Sequence, residues 1–365
     1  MVYARLGGNT SGDWRWPVAG ALAVFQAVFI WWLLAQPAGE DATVWFDDIS
    51  VAIAPMVAGL VSLAVVARYW GSKSALAWGL IACGLFLFAF GDTTWAIQEL
   101  AMGKEVPFPS VSDAGYLGGY VPVLLGLLLM PQAPAAGLRR LTLTLDVLVG
   151  IVAVGLVSWN FVIGRVLVDS SGSWLAQAIS VAYPLSDLAV VFGVMVLLAR
   201  ATPGRSTSSL LLLGAAFAAT AFSDSLYIYL SAIGKYATGS YIDIGWLAGY
   251  NLVTLSALLW LGPRPHPDPR QRTEEHPASI WQTAGLYAIA APMCVLLLFG
   301  SGVLITAGVL GIVALTFGRQ LVTLHENLTL NRRLEQLTAE LEIKVKKQTL
   351  ELLSRRGPPE KTVEA

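Results

Sequence analysis

Charged side chains are scarce in this chain of 365 residues. They make up 13% of it, whereas hydrophobic residues make up 56%; soluble domains carry about 25% charged residues. The net charge is −1 and no basic stripe is present, which argues against nucleic-acid binding. Cysteine is scarce too, because only Cys83 and Cys294 occur, both in apolar stretches, so neither a disulfide framework nor a zinc motif is expected. The composition indicates an integral membrane protein.

Ten apolar segments are long enough to span a bilayer, which needs roughly 20 apolar residues. They predict an all-α membrane domain over 17–320. Its helices are predicted near 17–36, 46–67, 75–100, 112–130, 142–164, 174–199, 208–232, 241–261, 280–299 and 302–320. The first segment also resembles a signal peptide, but the tryptophans around it are typical of an interfacial anchor, so we interpret it as a span. Pro184 makes 174–199 the least secure of the ten.

Lysine and arginine alternate between the two sides of this predicted topology. One side carries Arg5, Arg15, Arg68, Lys73, Arg139, Arg140, Arg200, Arg205, Arg264, Arg270 and Arg272. The opposite loops carry Lys104, Arg165 and Lys235, with the acids Glu40, Asp41, Asp47 and Asp48. The positive-inside rule then places both termini in the cytoplasm, with 1–16 as a cytoplasmic N-terminus. Asp146, near the inner end of its helix, is predicted to pair with the neighbouring arginines.

An ordered motif occurs twice and predicts an internal repeat. Both copies contain Phe-x-Asp-x-x-aromatic, then Gly-Lys, then Asp-x-Gly-aromatic-Leu-x-Gly-Tyr, beginning at Phe90 and at Phe222. The helix pairs 75–130 and 208–261 are therefore predicted to be parallel repeats, related by an axis near the membrane normal. A weaker copy is predicted within 142–199. The repeated glycines form small-x-x-x-small ridges, which allow helix backbones to approach closely in lipid.

Five aspartates are candidate ligand-binding residues. Asp92 and Asp224 lie inside predicted helices, where a carboxylate is costly in lipid and by default marks a functional site facing the bundle interior. Hydrogen bonding to nearby tyrosines is the structural alternative. Asp113, Asp187 and Asp243 are predicted at helix starts, where capping of free backbone N–H groups is the competing explanation.

Four aromatic residues accompany these acids, namely Trp95, Tyr116, Tyr227 and Trp246. They could make cation–π contacts, or they could be ordinary residues of an interfacial belt. If the repeats pack face to face, the acids and aromatics line one outward-facing cavity suited to a cation, a protonated amine or a proton-linked ligand. All three histidines are predicted to be cytoplasmic, and no nucleophile–base or metal-ligand constellation is found. We therefore expect no enzymatic activity, no metal and no cofactor.

The last predicted span continues without a break into a charged helix at 321–356, followed by a tail at 357–365 that is predicted to be disordered. The seam residues of this helix are Leu330, Leu334, Leu337, Leu341, Val345 and Leu352. The first four follow the 4-3-4 spacing of a coiled coil, and a four-residue step then introduces a stutter. The seam predicts a parallel homodimer. The alternative is a solvated helix that packs on its own bundle.

Three further segments are distinctive, namely Val-Pro-Phe-Pro-Ser-Val-Ser-Asp-Ala-Gly-Tyr-Leu-Gly-Gly-Tyr at 106–120, Tyr-Pro-Leu-Ser-Asp at 183–187, and Asp-Ile-Gly-Trp at 243–246. They resemble the multi-span N-terminal regions of bacterial GGDEF and GGDEF–EAL signalling proteins. The segment 324–334 resembles the helix that leads into their output domains. The resemblance implies a sensory module in the bacterial inner membrane that controls a cyclic-di-GMP enzyme or a related kinase. This chain contains no GGDEF-like or EAL-like catalytic motif, so no activity is carried over to it.

These observations favour a membrane sensor that couples an acidic and aromatic cavity to a dimeric cytoplasmic helix. It would be either the input region of a larger receptor or a protein that acts through a partner. Two alternatives remain open. One is a small-solute or ion transporter that uses the paired aspartates, and the other is a membrane scaffold whose helix recruits a soluble partner.

Overall fold

The computed structural model describes residues 14–103, 106–131, 137–159, 173–199, 205–262 and 303–355. Within these ranges the chain forms nine α-helices and no β-strand. The helices are Arg15–Ala35 (α1), Glu40–Arg68 (α2), Lys73–Met102 (α3), Val111–Leu129 (α4), Gly137–Ser158 (α5), Trp174–Ala199 (α6), Arg205–Ala232 (α7), Asp243–Trp260 (α8) and Val303–Arg355 (α9).

Six of the described helices are long and apolar enough to cross a membrane, namely α1, α2, α3, α4, α6 and α7. The predicted all-α fold is confirmed for the described residues, and six of the ten predicted spans have a matching helix of this kind, as expected of a membrane protein. The shorter apolar stretch Thr144–Ala153 lies in α5. The predicted span 280–299, the end of the predicted span 142–164 and the tail 357–365 lie outside the described residues. Helix α6 continues through Pro184, the residue that made 174–199 the least secure of the predicted spans.

Two aspartate placements predicted from the sequence are wrong. Helix α2 begins at Glu40 rather than near residue 46, so Asp47 and Asp48 are buried helical residues and not loop acids. Asp187, predicted at a helix start, lies well inside α6 and is also buried. Both helices begin more than one turn before these aspartates. Their carboxyl groups therefore cannot cap the free backbone N–H groups at the helix start.

The centre of the bundle contains two three-helix units, α2–α3–α4 and α6–α7–α8. In each unit the middle helix packs against the first and the third. The first helix of each unit also packs against the last helix of the other, because α2 contacts α8 and α6 contacts α4. This reciprocal packing is what an approximate two-fold relation between the units produces. Helix α6 therefore has the place in the second unit that α2 has in the first.

Glycine allows a close helix contact within the first unit. A Cβ atom added at Gly115 on α4 would lie 2.6 Å from the backbone nitrogen of Gly91 and 2.7 Å from the carbonyl oxygen of Leu87, both on α3. At the equivalent place in the second unit, a Cβ atom at Gly245 would meet the hydroxyl of Ser223. The repeated glycines thus set the helix separation on which the position of the neighbouring motif residues depends.

Helix α9 is a single helix of 53 residues. Its first part packs against α5. There Arg319 Nε donates to Asp146 Oδ1 at 2.8 Å, and the arginine side chain is buried. The part of α9 beyond this ion pair is largely exposed to solvent. The membrane bundle and the charged segment are therefore joined by continuous helical backbone.

We predict that Gly115→Ala destabilises the bundle, by about 1–3 kcal/mol, because the added methyl group meets the backbone of α3, which cannot move aside as a side chain can. Gly118→Ala on the same helix is the matched control, since its Cβ would make only an ordinary contact of 3.9 Å with Leu87. Thermal unfolding in detergent, followed by tryptophan fluorescence, measures both variants. Equal midpoints for the two variants would contradict this account of the interface.

Candidate functional site

A cavity of about 670 Å³ lies between the two three-helix units, within the size range of ligand-binding pockets. It is formed by residues of α2, α3, α4, α6, α7 and α8, together with residues of the α3–α4 and α7–α8 connections. Eight of the nine residues predicted to bind a ligand line it, namely Asp92, Asp113, Asp187, Asp224, Trp95, Tyr116, Tyr227 and Trp246. The ninth, Asp243, is buried at the start of α8 and is not among the lining residues.

Asp92 and Asp224 have equivalent places in the two units, and each accepts a hydrogen bond from a tyrosine of the other unit. The hydroxyl of Tyr250 on α8 donates to Asp92 Oδ2 on α3 at 2.9 Å. The hydroxyl of Tyr120 on α4 donates to Asp224 Oδ2 on α7 at 2.8 Å. Both tyrosines are the last residue of the repeated motif. The two copies of the motif are thus joined by a pair of crossing hydrogen bonds.

An aromatic side chain of the same unit also faces each of these aspartates. The indole Nε1 of Trp246 donates to Asp224 Oδ1 at 2.7 Å. Tyr116, the matching residue of the first unit, lies beside Asp92. Asp92 and Asp224 therefore each have one partner from their own unit and one from the other, as a costly polar group in a bilayer requires.

Asp187 shares a tyrosine with Asp224. The hydroxyl of Tyr120 lies 2.6 Å from Asp187 Oδ1 and 2.8 Å from Asp224 Oδ2. A hydroxyl carries one hydrogen, so it donates to only one of these oxygens and acts as an acceptor for the other. The second contact is then a hydrogen bond only if that carboxyl group carries a proton. Two carboxylates would otherwise face this single donor, so the arrangement favours a neutral form of one of the two aspartates.

Asp113 and Asp243 cap the helices that begin beside them. The backbone N–H of Ser110 donates to Asp113 Oδ2 at 2.6 Å, and the Ser110 side chain completes a capping box. The backbone N–H groups of Gly239 and Ser240 each donate to Asp243 Oδ2 at 2.8 Å. These contacts are those of the capping alternative. Asp113 also accepts a bond of 2.5 Å from the hydroxyl of Tyr183 on α6, which links the two units again.

The connection between α7 and α8 binds a second carboxyl group beside Asp243, that of Asp47 on α2. The N–H of Gly239 donates to Asp47 Oδ2 at 2.9 Å as well as to Asp243. Gly239 has a φ of +83°, which favours glycine, and a Cβ here would lie 3.1 Å from Thr43. Desolvation raises the pKa of Tyr236 well above its usual value, and the nearby Asp243 and Asp47 act in the same direction. The Tyr236 hydroxyl therefore stays a neutral donor, 3.3 Å from Asp243 Oδ1.

Four aromatic rings form a cluster beside the carboxyl groups. The ring of Tyr227 is 6.4 Å from that of Trp95, 5.8 Å from that of Trp246 and 4.7 Å from that of Tyr236, measured between centroids. All four residues line the same cavity as the acids. The indole of Trp95 also donates to Glu99 at 2.7 Å, which anchors the cluster to α3.

The cavity wall contains acids without a balancing base. No lysine or arginine is among its lining residues in the part of the chain that the structure describes. Three buried carboxyl oxygens at the cavity have no hydrogen-bond partner, namely Asp47 Oδ1, Asp48 Oδ2 and Asp187 Oδ2. Unsatisfied buried acceptors are costly, so the site favours a hydrogen-bond donor that carries positive charge. In the described ranges no three acidic, histidine or cysteine side chains are grouped so as to hold a metal ion.

Sequence reasoning missed several members of this site. Asp47 and Asp48 were interpreted as loop acids, although the acidic residues Glu40 and Asp41 would have marked an earlier helix start. Tyr183 begins the Tyr-Pro-Leu-Ser-Asp motif but was not predicted to be a partner of Asp113. No local signal predicts that pairing, because the two residues come from different units.

Comparison of the chain with protein-family models, curated proteins and solved structures finds no match. The functional interpretation therefore rests on the residues and the geometry described above.

We predict that Tyr120→Phe destabilises the protein by about 1–3 kcal/mol, because it leaves Asp187 and Asp224 without the hydroxyl that joins them. Tyr241→Phe is the matched control, since that tyrosine is 60% exposed. Thermal unfolding of both variants in the same detergent measures the effect. A Tyr120→Phe midpoint equal to that of the control would contradict the proposed importance of the shared hydroxyl.

Proposed function

We propose that this protein is a bacterial membrane sensory module that couples its acidic and aromatic cavity to a dimeric cytoplasmic helix. The observation that carries the proposal is the continuity of α9, which runs from its contact with α5 in the bundle to Arg355. A helix of this kind can pass a change in bundle packing to a distant point. A pore or a simple anchor has no need of one.

A chain of packed helices connects the cavity to α9. Helix α6 carries Tyr183 and Asp187, both of which line the cavity. It packs against α5, and α5 packs against α9. The contacts between α5 and α9 include the ion pair between Asp146 and Arg319. A shift of α6 caused by a ligand at Asp187 would therefore reach α9 through one intervening helix.

The mechanism we propose is a population shift between two packings of the bundle. A ligand that binds one packing better favours it by the difference between its two affinities. Helix α9 would then rotate or change its register. The stutter after Leu341 is the suitable bistable element, because it locally unwinds the supercoil.

The output surface of this module is the exposed row of seam residues on α9. Leu330, Leu334, Leu337 and Leu341 are 47–66% exposed in the single chain. Their 4-3-4 spacing matches the seam of a parallel two-stranded coiled coil. The positive-inside rule assigns this helix, and both termini, to the cytoplasmic side of the inner membrane. The resemblance to GGDEF-associated regions supports a cyclic-di-GMP enzyme or a related kinase as the controlled output.

A transporter is the second candidate, favoured by the crossing hydrogen bonds between equivalent aspartates and tyrosines of the two units. Repeated units around one binding site are typical of alternating-access transporters. A transporter gives the seam residues of α9 no role, and for that reason we rank it below the sensor. A scaffold accounts for the helix but not for the cavity.

We predict that Leu337→Cys forms a disulfide between two copies in native membranes, because the seam brings equivalent residues together. Ala339→Cys is the matched control, since it lies on the side of α9 away from the seam. Both are made with Cys83 and Cys294 replaced by serine. Non-reducing electrophoresis after mild oxidation measures the product. Equal cross-linking at the two positions would contradict the parallel seam.

We further predict that Asp92→Asn with Asp224→Asn changes cross-linking at Leu337→Cys at least threefold, in either direction. These substitutions replace the two carboxyl groups at which the units meet, and so alter the preferred packing. Asp41→Asn, at an exposed acid at the start of α2, is the control. Unchanged cross-linking in the double variant would contradict the sensor. Loss of solute flux in vesicles with unchanged cross-linking would favour the transporter.

A further inference from the structure

We infer that the cavity binds a small organic amine in its protonated form, and that the amine displaces the proton shared by Asp187 and Asp224. The inference deepens the proposed function, on which it rests, by giving the ligand a chemical class and giving the binding step a proton balance. It stands on three independent features of the cavity, namely its unpartnered acceptors, its aromatic wall and its shared hydroxyl.

The unpartnered oxygens require a ligand with N–H donors. Asp48 Oδ2 and Asp187 Oδ2 are buried at the cavity without any partner. Asp48 and Asp187 are 5% and 7% exposed, so solvent satisfies them poorly. A primary ammonium group offers three donors and a full positive charge. A quaternary ammonium group offers the charge but no donor, and would leave both oxygens unsatisfied.

The size and lining of the cavity favour an organic ligand over a bare ion. Its volume of about 670 Å³ is far larger than an ion needs. The aromatic cluster of Trp95, Tyr227, Tyr236 and Trp246 lies beside the carboxyl groups. Aromatic faces attract cations and bury apolar groups. In an amine with an apolar or aromatic body, the ammonium group can pair with the carboxyl groups while the body packs against the aromatic cluster.

The shared hydroxyl sets the proton balance. Tyr120 has one hydrogen for its two contacts, to Asp187 and to Asp224, so the pair favours a proton on one of the two carboxyl groups. The other titratable groups facing this pair are Asp92 from α3, Tyr183 from α6, Tyr227 from α7 and Tyr250 from α8. None of them is a base that could balance a second negative charge. When an ammonium group enters, its charge replaces that of the proton, which leaves for solvent, and the net charge of the site is conserved.

The test uses the full chain in detergent with two amines, tryptamine and 2-phenylethylamine. Their matched neutral controls are tryptophol and 2-phenylethanol, and N,N,N-trimethyltryptammonium supplies charge without donors. Calorimetry in two buffers of different ionisation enthalpy gives the affinity and the number of protons released. We expect at least one amine to bind, to release about one proton near neutral pH, and to bind about tenfold more weakly when its nitrogen is quaternary.

The pH dependence has a definite sign. A proton competes with the amine for the carboxyl pair, so the affinity should rise with pH, by up to about tenfold per pH unit, until the amine itself loses its proton. An affinity that does not vary with pH, or binding without proton release, would overturn the inference. So would amines that bind no more tightly than their alcohols.

Two variants locate the site. Asp187→Asn should weaken amine binding about thirtyfold and abolish proton release. Asp48→Asn should also weaken amine binding but keep the proton release. It is the variant that locates the site if Asp187→Asn does not fold. Asp41→Asn should change neither quantity. Amine binding that is unaffected by both cavity variants would place the amine elsewhere and overturn the inference. The proposed sensor function is tested separately. It fails if cross-linking at Leu337→Cys on α9 is unchanged by Asp92→Asn with Asp224→Asn.

Discussion

The burial of several carboxyl groups inside a membrane-type helix bundle is the constraint on which the rest of this structure depends, and within the described ranges no lysine or arginine lines the cavity beside them. A lone carboxylate in such a place is costly, and here the compensation comes from tyrosine and tryptophan donors rather than from cations. The donors cross between the two three-helix units, Tyr120 to Asp224 and Tyr250 to Asp92. Neither unit can satisfy its own aspartate fully, so the two units depend on each other.

The same arrangement connects the fold to the proposed function. Helix α6 contributes Asp187 to the carboxyl cluster and also packs against α5, on which α9 rests. Changes in charge or hydrogen bonding at the cluster therefore act on a helix with a direct structural route to the cytoplasmic segment. Carboxyl groups held by neutral donors respond to protons or to a cationic ligand more readily than groups fixed in ion pairs would.

Much of the fold could be predicted from the sequence because hydropathy in a membrane protein reports helices directly. The spans of α3, α6 and α7 lie close to the predicted segments, and the repeated motif located the residues that meet at the cavity. The pairing of those residues could not be predicted. A hydrogen bond such as that from Tyr183 to Asp113 depends on which helices of the two units are neighbours, and no local pattern encodes it.

The misplaced residues have a similar physical origin. Asp47 and Asp48 were assigned to a loop and Asp187 to a helix start because a carboxyl group is most easily satisfied by solvent or by the free N–H groups of a helix N-terminus. Asp146 was expected to pair with an arginine nearby in the sequence, whereas Arg319 on α9 is the partner that the structure gives it. For Asp146 and Asp187 the structure supplies a partner from a distant part of the chain, whereas sequence reasoning could supply only a local one.

The most direct test of this account is the infrared absorption of the carboxyl groups in the full chain at neutral pH. We predict a carbonyl band from a protonated carboxylic acid that is present in the parent protein and is lost in Asp187→Asn, because Tyr120 then donates to Asp224 alone and no shared proton is needed. The control is Asp41→Asn, which should leave the band unchanged. A parent spectrum without this band, or a band that Asp187→Asn leaves intact, would contradict the claim that the two units meet at a shared proton.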